Sequence, residues 1–73
     1  MNYTIEKIRS DIKHIIDKHE LFIKALRKKE DKNDFDYFCL KSAENANNDL
    51  SEFLETDENY IKDNYLSMVK KYG

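Results

Sequence analysis

Residues 5–29 read IEKIRSDIKHIIDKHELFIKALRKK, and this stretch decides the fold. Ile5, Ile8, Ile12, Ile15, His19, Phe22 and Leu26 step along it by threes and fours. That is the period of an α-helix, not the alternation of a strand. Written as a heptad, Ile5, Ile12, His19 and Leu26 take the a positions, and Ile8, Ile15 and Phe22 the d positions. Ile16 and Ile23 fall at e and widen the apolar stripe to nearly half of the helix surface. A two-stranded coiled coil wants charged e positions, whereas a helix packed against two neighbours wants the wider stripe. Thr4 or Asn2 caps the start. Arg27, Lys28 and Lys29 fall in the last turn, where cations complement the helix dipole. The spacing predicts a first helix over residues 3–30.

Working outward, Glu30-Asp31-Lys32-Asn33-Asp34 has no apolar residue and ends in capping residues, so it reads as a turn. Phe35, Phe38, Cys39, Ala43, Ala46, Leu50, Phe53 and Leu54 then return at helical spacing, predicting a second helix over 34–55. Its middle is small and polar, and Asn45–Asp49 has poor helix propensity. A break there, with Asp49 as N-cap and Glu52 three residues on, is the alternative. Thr56 and Asp57 cap a third helix over 58–72, marked by Ile61, Tyr65, Met68 and Tyr72. Three amphipathic helices with short connections predict an all-α, three-helix up-down-up bundle, a single domain spanning 1–73.

Seventy-three residues build only a thin core, since a chain of this size buries roughly 60–65% of its unfolded surface. Chains this short often add a staple or an oligomer interface. Cys39 is the lone cysteine, so no internal disulfide can form, and a single thiol fits a reducing compartment. No apolar segment follows basic residues at the N-terminus, so no secretory signal is read. With 38% charged residues no membrane span is expected, and the expectation is a cytoplasmic protein. Self-association enters as a homodimer through the first helix, with Ile16 and Ile23 as the candidate contacts. His19, a polar group inside an isoleucine stripe, is a candidate pH-sensitive core residue. Buried and neutral, it would have a lowered pKa, and acid would loosen the bundle.

The net charge of −2 hides an asymmetry. Residues 1–29 carry eight basic and four acidic groups, whereas 30–63 carry three basic and eleven acidic. Asp49, Glu52, Glu55, Asp57, Glu58 and Asp63 fall along that second half. Their ordinary meaning is solvated helix faces and caps. The sharper reading is a surface that meets a basic groove on a partner protein, such as a nucleic-acid-binding enzyme. Tyr37 and Tyr60 add aromatic area of the kind enriched at interfaces. The partner-binding candidates are therefore Tyr37, Asp49, Glu52, Glu55, Glu58 and Tyr60. The expected function is a small non-enzymatic regulator or inhibitor of another protein, by analogy with small acidic inhibitors of phages and mobile elements. A self-associating scaffold is the second reading. Weak nucleic-acid binding through Lys24, Arg27, Lys28, Lys29 and Lys32 is the third. The acidic balance and the lack of a recognition-helix signature argue against it.

Catalytic motifs carry little. Arg9 and His14 make an R-x4-H pattern, a spacing found in helical ribonucleases of the HEPN type. Five residues rotate an ideal helix so that the two side chains stand about 140° apart. His14 and His19 do not share a face, so no metal set forms. The acidic surroundings of Cys39 oppose a reactive thiolate. A phosphate loop needs glycines, and the only glycine is Gly73. No cofactor and no metal are expected.

Overall fold

The computed structural model describes residues 4–73 and consists of α1 (Ile5–Lys28), α2 (Asp34–Leu54) and α3 (Glu58–Tyr72). The three helices pack pairwise as an up-down-up bundle, with α1 on α2 the most extensive contact. Asn2 and the expected first residue of the first helix lie outside the described residues.

Each helix starts on a side chain that satisfies backbone N–H groups left free by the first turn. Thr4 accepts from the Lys7 N–H at 3.2 Å. Asn33 and Asp36 form a reciprocal capping box: the Asn33 side chain accepts from the Asp36 N–H at 2.8 Å, and the Asp36 carboxylate accepts from the Asn33 N–H at 3.2 Å. Asp57 accepts from the Tyr60 N–H at 2.9 Å. α1 stops two residues before the expected end because Lys29 turns extended. The Lys32 ammonium then donates to the free carbonyls of Arg27 and Lys29 at the helix end.

The core is built from Ile8, Ile12 and Ile15 of α1, Leu50 and Phe53 of α2, and Ile61 and Tyr65 of α3. Ile12, Leu50 and Ile61 are wholly enclosed. Burial of each contributes about 1.5–3 kcal/mol. The Tyr65 hydroxyl donates to the Asp11 carboxylate at 2.6 Å, tying α3 to α1.

Two expectations about α1 are corrected. The buried positions are Ile8, Ile12, Ile15 and Ile23, with His19 and Leu26 half-buried. These six positions repeat every 3.6 residues, not every 3.5. A straight helix drifts about 20° per heptad, so the seam leaves the d position by the third heptad. Phe22 is consequently 49% exposed, while Ile23 is 2% exposed within the single chain. Ile23, a candidate oligomer contact in the sequence, is thus not available to a second copy. Ile16, the other, is half-buried against the core.

α2 runs unbroken through Asn45–Asp49, so Asp49 is not a cap. Asn47 explains why. It is buried, and its amide donates to the Ile16 carbonyl and to the Glu20 carboxylate, each at 3.2 Å. Its side-chain oxygen accepts from His19 Nδ1–H at 2.8 Å. A residue of weak helix propensity is thereby held by three bonds to α1. Tertiary contact overrides the local preference.

The molecule measures 45 × 20 × 15 Å with a radius of gyration of 14.0 Å. A compact domain of this length would have about 11 Å. The elongation follows from helix lengths. α1 has 24 residues and α3 only 15, about 36 Å against 22 Å. The Tyr65–Asp11 bond sets α3 beside the first half of α1, and α3 ends level with His19 and Ala46. Beyond that level α1 and α2 continue as a two-helix hairpin.

Candidate interaction surfaces

The short third helix divides the surface into a cleft along its side and a groove beyond its end. The cleft lies between α2 and α3, with a volume of about 290 Å³. Asp49 and Glu52 border it, and Phe53, Tyr60 and Tyr72 supply aromatic walls. Phe53 and Tyr60 rings meet at 5.9 Å with a tilted geometry. The Tyr72 hydroxyl donates to the Asp49 carboxylate. That bond, followed by burial, raises the Tyr72 pKa above the usual phenol value. Lys71 is the cation at this cleft.

The structure brings together three of the six partner-binding candidates: Asp49, Glu52 and Tyr60. Glu55 caps the end of α2 and Glu58 opens α3, where it pairs with Lys62 at 3.2 Å. Both are exposed near the cleft's lower edge in sequence but do not line it. Tyr37 is elsewhere. Sixteen residues of α2, about 24 Å, separate it from Phe53, on which Tyr60 rests. Tyr37 and Tyr60 are both exposed, as expected, but they do not form one surface.

The groove is the feature that sequence reasoning missed. It has a volume of about 430 Å³ and runs between α1 and α2 from the end of α3. Ser42, Ala43 and Ala46 form its small-residue part, and Phe22 and Phe38 its bulky part. Phe35 extends the same face of α2 one turn further, and is 69% exposed; Phe38 is 67% exposed. Phe35, Phe38, Cys39, Ser42 and Ala46 follow helical spacing, so the stripe was visible in the sequence. Its exposure was not, because exposure depends on where α3 ends.

His19 and Cys39 both line this groove, and Asn47 bonds His19 from below. These are the residue types of a thiol–imidazole–amide catalytic set. Among the described residues no hydrogen bond joins the Cys39 thiol to His19, so the nucleophile–base contact such a set requires is not formed. His19 is half-buried rather than buried. No group of three or more His, Cys, Asp or Glu side chains placed to hold a metal occurs among the described residues. No described helix is long and apolar enough to cross a membrane.

The basic end of α1 is largely engaged within the chain. Lys29 binds Asp36 at 2.7 Å, Arg27 pairs with Glu44 at 3.6 Å, and Lys32 binds backbone carbonyls. The Lys29 bond, then the Asn33 N–H, holds the Asp36 carboxyl below the usual carboxylate range. Lys24 and Lys28 make no such contact among the described residues.

No protein-family model, curated protein or solved structure matches this chain.

Proposed function

We propose that this chain is a small non-enzymatic regulator that binds another protein through the acidic cleft between α2 and α3. The observation that carries the reading is the pairing of carboxylates with aromatic walls. Asp49 and Glu52 stand at a cleft walled by Phe53, Tyr60 and Tyr72. A carboxylate rim accepts the N–H groups of a guanidinium or ammonium, and the exposed Tyr60 ring attracts the same cation, the Tyr72 ring already facing Lys71. The chemistry that fits is an arginine or lysine side chain presented by a basic protein surface. Nucleic-acid-binding enzymes carry such surfaces. Glu55 and Glu58 extend the negative field beyond the cleft and would speed encounter with that partner.

Weak nucleic-acid binding receives less support. Arg27, Lys29 and Lys32 are drawn into contacts with Glu44, Asp36 and backbone carbonyls. The two carboxylates offset part of the positive charge that would release counterions from a phosphate backbone, while Lys24 and Lys28 make no such contact among the described residues.

The test is affinity capture from a lysate of the encoding organism with the wild type and with Glu52→Lys/Glu55→Lys/Glu58→Lys. All three positions are exposed, so far-UV dichroism of the variant stays helical. A stoichiometric basic partner should be lost from the variant and weakened by salt. Retention of the same partner by the charge-reversed chain overturns the reading.

A further inference from the structure

Lys71 stands where the acidic cleft and the apolar groove meet. It lines both, beside Asp49, Glu52 and Tyr60 on one side and His19 and Ala46 on the other. Its place follows from the sequence of α3. Ile61, Tyr65, Met68 and Tyr72 pack toward the core at steps of four, three and four. Lys71, one residue before Tyr72, is left on the exposed flank of the last turn. From there its ammonium reaches over the Tyr72 ring, 5.1 Å from the centroid. A cation at that distance is attracted by the ring face.

Tyr72 in turn donates its hydroxyl proton to Asp49. The chain's own ammonium therefore takes the aromatic wall beside a cleft carboxylate. That is the place a cation from outside would seek. Two positive charges there repel each other, so entry of the second requires the first to leave.

The hold on Lys71 is weak. No carboxylate comes within ion-pair distance of its ammonium among the described residues. An exposed cation–ring contact shifts an equilibrium only about two- to fivefold. The flexible four-carbon stem of a lysine lets the ammonium turn toward the groove or into solvent with no movement of α3.

We infer that Lys71 is a tethered internal competitor: it fills the cation position of the cleft in the free chain and swings aside when a partner's arginine or lysine enters. The inference rests on the cation-binding role proposed for the cleft, and it assigns that site its regulation.

The test is a nuclear magnetic resonance titration of the full chain with a capped hexa-arginine peptide at about 0.15 M salt, where exposed charges more than about 8 Å apart are largely screened. Signals of Asp49, Glu52 and Tyr60 report the cleft. Lys71→Met keeps an unbranched stem and removes the charge. Lys70→Met removes an equal charge from a residue that does not line the cleft. Both positions are exposed, so both variants should stay helical. Lys71→Met should tighten peptide binding about threefold, the size of one exposed charge interaction, and Lys70→Met should tighten it much less. Binding by Lys71→Met where the wild type shows none supports the inference equally. Equal tightening by the two variants means that net charge alone acts, and no tightening by Lys71→Met means that the position is not contested. Either result overturns the competitor and leaves the cleft standing. Binding by none of the three chains, or binding that leaves the cleft signals unmoved, overturns the cleft reading and the inference with it.

Discussion

The two halves of the molecule are built from the same helical periodicity and come to opposite ends. In the lower half, isoleucines of α1 meet α2 and α3 together, and Ile12, Leu50 and Ile61 are closed off from solvent. In the upper half, α1 and α2 continue with Phe22, Phe35 and Phe38, and no third helix arrives to cover them. A stripe of apolar residues therefore specifies a need for cover, not its source. The length of α3 decides which residues become core and which become surface.

The comparison breaks most visibly at Leu50. Leu50→Ala removes buried volume where three helices meet and should cost about 3 kcal/mol in urea unfolding of the dilute protein. Phe38→Ala, a larger truncation by volume, should change the stability of the dilute monomer by less than about 0.5 kcal/mol. Equal losses would mean that the upper half is closed in solution. Asn47→Ala sits between the halves. It removes the bonds to the Ile16 carbonyl, His19 and Glu20 and should cost about 2 kcal/mol in the same assay. A neutral result would show that water replaces the amide there.

The smallest effect belongs to the turn. Asp36 accepts from Lys29 and from the Asn33 N–H, and its folded-state pKa is lowered. Such a group adds stability that is full above 3.8, the ordinary value, and that is lost as pH falls through the lower folded value. Acid titration of the wild type should show this loss, and Lys29→Met should flatten it. An unchanged profile in Lys29→Met would place the acid sensitivity elsewhere.

The helices themselves were legible. Thr4 and Asp57 announced two starts, and the run ending in Asn33 and Asp34 marked the third, though not the reciprocal bond of Asn33 with Asp36. Ile8, Ile12, Ile15, Leu50, Ile61 and Tyr65 stand in the spacing that predicted them. The heptad description of α1 failed at Phe22 because seven-residue numbering conceals the drift of a 3.6-residue helix. Asn47 resembled a helix breaker because propensity is local, whereas its hydrogen bonds reach 27 to 31 residues back. Of the candidate site, the acidic residues and Tyr60 could be read from composition. The groove could not, since it depends on where the last turn of α3 lands.

Asn47 has one more consequence. Two helices that meet through isoleucines and alanines can slide past each other by a turn, about 5.4 Å, at small loss of apolar contact. Asn47 finds Ile16, His19 and Glu20 in one alignment only. A one-turn slip would strand the buried Asn47 amide without these partners. The buried amide is therefore a ruler: it sets the vertical alignment of α2 on α1, and hence the height at which Tyr72 stops and the open face begins.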